Sequence, residues 1–342
     1  MMDVAAVAGV SQATVSLVLN SGSDAKLSHA TRQRVQQAAQ DLGYEFVRRT
    51  SSRSAMHGNA TIVFIADEVT TDPWMALAFE GARDKALEAG VGVVLSISHG
   101  QAASETMIVA QMERLNVLGF IYGTVLTRSV ELPPELLERR TVLVNCYERS
   151  RTLLSILPGD LQGGRTATET LLKAGRTRIG FINGQDGVDA SRDRLKGYKQ
   201  ALATSDLPFD PDLVRPGNWE PSAGYEMTLE LMQLNDPPDA IFCANDMMAL
   251  GCLDALTALG RKVPRDVSII GFDDREVAQF THPPLSTLVL PHYEMGEIAA
   301  QELIDGVGTT PRRLNHIKVE CRLIERGSVR AETPARRRKR SS

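Results

Sequence analysis

Hydrogen-bonding side chains stand at the ends of apolar runs throughout residues 60–290 of this chain. Asp67 and the triplet Asp72-Pro73-Trp74 follow "TIVFIA", Ser96 and Ser98 end "GVVLSI", Tyr122 closes "LGFIYG" and Asn145 closes "TVLVN". Further on, Asn245-Asp246 follow "AIFCA" and Asp273-Asp274 follow "IIGF". Carboxylates, amides, hydroxyls and an indole are the groups that hold a polar organic molecule by hydrogen bonds while an aromatic face covers its apolar side. They are not arranged for bond-making. No nucleophile and base share a recognisable spacing, "DLQGGRT" is neither GxGxxG nor a Walker loop, and no GxSxG occurs. The six histidines show no HxxH or HExxH pattern, and Cys146, Cys243, Cys252 and Cys321 form no CxxC pair, so neither a metal nor a cofactor is expected. These features set an enzyme aside.

The elements that must position such residues are legible in the rhythm of the chain. β-branched apolar runs alternate with helical segments such as "MALAFEGARDKALEAG", and the alternation resumes after "LPGD" with "RIGFIN", "AIFCAN" and "VSIIGF". Strands buried on both faces and separated by helices form doubly wound parallel sheets. Ligands in such sheets sit beyond the carboxyl ends of the strands, and two successive sets place them in a cleft between two lobes. Some strand-end residues have a second reading. Asp246 and Asp274 are assigned to capping the next helix, Trp74 suits a core or a dimer contact as well as a ligand, and Trp219 suits a packed surface loop. Cys243 and the methionines of "NDMMALG" are read as core.

The first 59 residues follow a different pattern. "MMDVAAVAGVSQATVSLVLNSG" lacks the basic start and unbroken apolar segment of a signal peptide or membrane span. Val4, Val7 and Ala8 keep helical spacing, Gly9 permits a turn, and Ser11 is placed to cap a second helix with Val15, Val18 and Leu19 inward. A third helix opens at Ser28 and runs through "HATRQRVQQAAQDLG", with Val35, Ala38, Ala39 and Leu42 on one face and Gly43 as its stop. The free face of the second helix is Gln12, Ala13, Ser16 and Leu17, which suits either a helix-turn-helix reader of DNA or a plain three-helix cap. Charge favours an anionic partner. Residues 1–59 hold six Lys/Arg against four Asp/Glu, whereas the remainder holds 32 against 38.

The strings "DVAAVAGVSQATVSLVLN" and "TRQRVQQAAQDLGY" resemble the DNA-binding headpiece of the LacI/GalR family of bacterial transcription regulators. The resemblance implies that Gln12 and Ala13 read bases while Thr14, Ser16 and Asn20 contact phosphates. Leu17 stands where many members carry a base-contacting Arg, and it offers a thymine methyl contact instead. The segment "EFVRRTSSRSAMHGNA" departs from the family's hinge. Arg48, Arg49 and Arg53 remain able to meet phosphates or to form a solvated linker, and Met56 is the nearest apolar wedge for the minor groove.

Beyond the headpiece, the resemblance implies a two-lobed periplasmic-binding-protein-like effector domain, with the chain returning to its first lobe near "STLVLPHYEMGEIAAQELI". Arg194 in "SRDRLKGY" and Trp219 in "GNWEPSAGY" match ligand-contacting positions of the family. The expected effector set is Asp72, Trp74, Asn145, Arg194, Trp219, Asn245 and Asp273. In that set Arg194 and Asp273 bracket the vicinal hydroxyls of a sugar or sugar derivative.

The expected boundaries are a headpiece over 1–45, a hinge over 46–59, an effector and dimerisation domain over 60–329, and a basic disordered tail over 330–342. Within the effector domain the N-terminal lobe takes about 60–157 and 288–317, and the C-terminal lobe about 158–287 and 318–329. The expected partners are double-stranded operator DNA, a small-molecule effector and a second copy of the chain, with no membrane. The expected compartment is the bacterial cytoplasm. No leucine heptads follow the last strand, so a dimer is expected rather than a tetramer.

Overall fold

The computed structural model describes residues 7, 8, 10, 34, 35, 38, 59–112, 114–306 and 316–329. The chain divides into one unit over Met1–Met56 and another over His57–Ser342. In the first unit Ala8, Val35 and Ala38 are helical and buried, as their spacing predicts, while Val7 is 60% exposed. Gln12, Ala13, Thr14, Ser16, Leu17, Asn20, Arg48, Arg49, Arg53 and Met56, on which the DNA-binding expectations fall, lie outside the described residues.

The second unit is α/β. It opens with β1 (Thr61–Ala66), α1 (Trp74–Glu88), β2 (Gly92–Ile97), α2 (Ala102–Met112), β3 (Val117–Val130), α3 (Pro134–Leu137), β4 (Thr141–Glu148) and β5 (Leu154–Pro158). The chain continues through α4 (Asp160–Lys173), β6 (Ile179–Ile182), α5 (Asp189–Thr204), β7 (Val214–Arg215), α6 (Pro221–Met232), β8 (Ala240–Cys243), α7 (Asp246–Ala258) and β9 (Ser268–Ile270). It ends with β10 (Thr287–Leu288), α8 (His292–Asp305), β11 (His316–Val319) and β12 (Leu323–Ile324).

Two parallel sheets result. The first lobe carries the strand order β11-β5-β4-β3-β1-β2 and the second carries β7-β6-β8-β9. The first sheet is covered on both sides, which is why its central strands are apolar without interruption. Along β1, Ile62, Phe64 and Ala66 face the core under α1 and α8, whereas Val63 and Ile65 face the core under α2 and α3. The second lobe has one core, built on Phe181, Tyr198, Phe242, Ile269 and Phe272. Helices α1 and α8 approach backbone to backbone through Gly81 and Gly296. A Cβ on Gly296 would strike the Ala78 carbonyl and one on Gly81 the Tyr293 carbonyl.

The chain passes between the lobes three times: from β5 to α4, from β10 to α8, and from β11 to β12. The passages are tied together. The Gly159 N–H donates to Val319 O at 2.8 Å, and the Val289 N–H donates to Arg322 O at 2.8 Å. Leu290 packs against the cores of both lobes.

Candidate effector site

A cavity of about 210 Å³ opens between the lobes at the carboxyl ends of the two sheets. Asp72, Trp74, Asn145, Arg194, Trp219, Asn245 and Asp273 all line it. They come from the loop after β1, the start of α1, the middle of β4, the middle of α5, the loop before α6, and the residues just past β8 and β9. Parallel strands that end together bring these dispersed residues within reach of one ligand.

Arg194 is buried, and most of its guanidinium is already engaged. Its Nε donates to Asp160 Oδ1 at 2.8 Å, its Nη2 lies 2.8 Å from the same oxygen, and Nη1 donates to the Ala244 carbonyl. The plane lies over the Phe272 ring at 3.7 Å and 5.7 Å from the Trp219 ring. Asp273 Oδ1 stands 4.0 Å from Arg194 Nη1, and Oδ2 stands 3.8 Å from Arg275 Nε. Both separations exceed hydrogen-bond length. Burial pushes the Asp273 carboxyl well above the usual carboxylate range; Arg194 and Arg275 pull against that shift and Asp246 and Asp72 add to it. Asp273 also holds φ at +116°, a region L-residues rarely enter. It is clamped there by its N–H to Leu288 O at 2.7 Å and by Leu290 N–H to its own carbonyl at 3.3 Å. The β10–α8 passage thereby touches the cavity directly.

The two amides serve the walls. Asn145, at φ +58°, donates from Nδ2 to the Thr124 and Val125 carbonyls at 2.9 Å each and accepts from the Thr127 hydroxyl at 2.5 Å. Asn245 caps α7 by accepting from Met248 N–H at 2.9 Å, and its Nδ2 donates to Trp219 O at 2.9 Å. Trp219 is held at φ +72°, with its indole Nε1 buried and without a hydrogen-bond partner. Trp74 stacks on the fully buried His292 with centroids 5.4 Å apart and rings inclined by 23°.

Capping by Asp246 and Asp274 is not what the structure shows. Asn245 takes the cap of α7 because its extended backbone aims Oδ1 at the first free N–H groups. Asp246, in the first turn, accepts instead from Arg275 N–H at 2.8 Å and from the Thr287 hydroxyl at 2.6 Å. Burial pushes its carboxyl up to about 7, against the pull of those two bonds. Asp274 accepts from Arg326 Nη2 at 2.6 Å. Two other strand-end residues serve their own lobe. Asp67 accepts from Val125 N–H at 3.0 Å, and the Tyr122 hydroxyl donates to Glu105 at 2.7 Å.

Spacing alone missed several lining residues, Glu68, Glu220 and Arg275 among them, and the most consequential is Arg275. It lines the cavity, binds Asp72 of the opposite lobe through Nη2, lies 5.0 Å from the Trp74 ring centre, and keeps Nε buried without a hydrogen-bond partner. The signal was present, since "DDR" continues the strand end that carries Asp273. A second bridge joins the lobes where the Tyr147 hydroxyl donates to Asp189 at 2.7 Å. Among the described residues no group of His, Cys, Asp or Glu could hold a metal ion, and no helix is long and apolar enough to cross a membrane.

Comparison with known proteins agrees with this architecture. Residues 1–45 match the bacterial regulatory proteins of the lacI family, and residues 168–329 match the periplasmic binding protein-like domain. The chain is 33% identical over 344 residues to the HTH-type transcriptional repressor CytR of Escherichia coli K12, covering 97% of this chain and 96% of that one. A LacI-family transcriptional regulator from Rhizobium etli has a TM-score of 0.70 at 30% identity, covering 79% of this chain and 99% of the other. The CelR–cellobiose complex has a TM-score of 0.64 at 28% identity, covering 95% and 98%. An N-terminal segment of the lacI type joined to a two-lobed α/β body, at this identity and over nearly the full length, leaves one conclusion: the chain belongs to the lacI family of bacterial regulatory proteins, which are DNA-binding transcription regulators and not enzymes.

Proposed function

We propose that the protein is a ligand-responsive repressor that binds a pseudo-palindromic operator as a homodimer and takes a sugar-like effector into the cleft between its lobes. The observation that carries this reading is the cavity itself. Asp273 and Arg194 converge on it from separate segments beside two indoles, the combination that grips hydroxyls and covers a sugar's apolar face. The volume of about 210 Å³ lies below the roughly 300–1,000 Å³ of drug-sized sites and suits a single sugar ring. A structural relative holding cellobiose supports the class of ligand.

Gln12 and Ala13 are assigned to base reading, Leu17 to a thymine methyl, and Thr14, Ser16 and Asn20 to phosphates. Arg48, Arg49, Arg53 and Met56 are assigned to the hinge contacts. The proposed homodimer accounts for apolar side chains that the second lobe leaves exposed, Phe280 at 68% and Val277 and Tyr225 at 37% each. Four free, buried cysteines suit a reducing cytoplasm. Closure of the lobes on the effector would shift the paired first lobes and alter the match to two half-sites about one helical turn apart.

The test is fluorescence anisotropy with DNA from upstream of the protein's own gene, with and without a panel of sugars. Specific binding that one sugar changes supports the reading, and specific binding that no sugar changes removes the effector. Gln12→Ala should alter base preference, and a uniform loss across operator variants would remove the recognition-helix assignment.

A further inference from the structure

Resting on the reading of the cleft as the effector site, we propose that it selects an uncharged polyhydroxyl ligand and rejects the anionic counterpart, with the Asp72–Arg275 pair as the specificity element. The charges lining the cavity are Glu68, Asp72, Glu220 and Asp273 against Arg194 and Arg275, four acids to two bases. Each guanidinium already has its charge matched by a carboxylate of the protein, although Arg275 Nε keeps one N–H without an acceptor. Arg194 is held by Asp160 and by the Ala244 carbonyl, and Arg275 is held by Asp72.

Helix N-termini are the other common anion receptors, and here each has a carboxylate in its first turn or just ahead of it. Asp72 lies two residues ahead of α1, Asp189 occupies the first turn of α5, and Asp246 occupies the first turn of α7. Residues at the starts of all three helices line the cavity: Trp74, Ala190 and Asn245.

The remaining hydrogen-bonding groups call for a ligand that both donates and accepts. Arg275 Nε and Trp219 Nε1 are buried donors without acceptors, while the Asp273 carboxylate has its nearest cations at 4.0 and 3.8 Å. A hydroxyl supplies an oxygen to the donors and a hydrogen to Asp273. A carboxylate or phosphate supplies oxygens alone and adds negative charge to a lining of four acids against two bases, both of these already paired with carboxylates, which is unfavourable in a partly dry site.

Calorimetry on the full chain at pH 7.5 tests this with matched pairs: glucose, galactose and mannose, each against its own uronic acid. The exchange of CH2OH for carboxylate changes the charge and hardly the size. Within a pair that binds, the neutral sugar is expected to bind at least about tenfold more tightly. In Asp72→Asn, which releases Arg275 and removes one negative charge from a partly exposed position, the preference should narrow by about tenfold through improved uronate binding. A misfolded variant would lose both ligands and could not produce that gain. A uronate that binds the parent as tightly as its neutral partner overturns the charge selection while leaving the cleft as effector site. An unchanged ratio in Asp72→Asn overturns the role of the Asp72–Arg275 pair, and a panel in which nothing binds overturns both this proposal and the effector reading.

Discussion

Tyr147, next to last in β4, donates its hydroxyl hydrogen to Asp189 at the start of α5, 2.7 Å away in the opposite lobe. The Asp72–Arg275 ion pair makes a second bridge between the lobes. Bridges of this kind bias a hinged body toward closure without touching its cores.

Tyr147→Phe removes one bridge and leaves the aromatic packing. A single hydrogen bond of this kind is worth about 0.5–1.5 kcal/mol net. Effector affinity should fall about two- to tenfold in calorimetry, with the melting temperature nearly unchanged. Unchanged affinity would mean that the lobes close without this bond.

Arg194→Ala should damage the fold as well as the site. It leaves Asp160, only 2% exposed, without its partner. Breaking a buried pair in this way costs about 3–5 kcal/mol, readable as a lower denaturant midpoint. Asp273→Asn is the cleaner probe of the site, because its carboxylate makes no hydrogen bond to either guanidinium. It should melt close to the parent and lose about 1–3 kcal/mol of effector binding.

His292 sets part of the acid sensitivity. Burial, aided by the nearby Arg194 charge, pushes its imidazole down to about 3. In the unfolded chain the ring titrates near its ordinary value of about 6.5. Between these values the unfolded state binds a proton that the native state excludes, so this contribution is intact above about 6.5 and declines as the pH falls toward 3. Asp246, with its carboxyl raised to about 7, acts in the opposite sense over an overlapping range, so the comparison must be parent against variant. The ring nitrogens of His292 make no well-formed hydrogen bond, the Leu290 carbonyl pulling only weakly against the shift, and the ring stacks on Trp74, so His292→Phe forfeits little hydrogen bonding. The variant should match the parent at pH 8 and exceed it by roughly 2 kcal/mol at pH 5 in denaturant titrations.

Gly296→Ala should invert a familiar rule. Alanine in a helix interior ordinarily stabilises by about 1 kcal/mol relative to glycine. Here the new methyl meets the Ala78 carbonyl across the α1–α8 contact, and overpacking of that kind costs about 1–3 kcal/mol. Scanning calorimetry should record a lower melting temperature.

The strand-end residues around the cleft were legible in the sequence because a parallel strand buried on both faces must be apolar until it emerges, and the first polar residue marks where it does. Asn245 and Asp273 each stand just past such an end and Asp72 in the loop beyond β1, whereas Asn145 lies inside β4, and the cavity collects all four. The α/β alternation was legible for the same reason. β5, β7, β10, β11 and β12 were not: β7, β10 and β12 have two residues each, and polar Ser155 and Lys318 interrupt the short runs of β5 and β11. Roles within the site were decided by tertiary structure. Asn145 and Asn245 spend their amides on carbonyls and a helix cap, Arg194 spends its guanidinium on Asp160, and Arg275 reaches Asp72 across 203 positions of chain. Polarity at a strand end is a property of one residue and its neighbours. Which carboxylate a guanidinium neutralises depends on distances between lobes, and only the three passages of the folded chain set those.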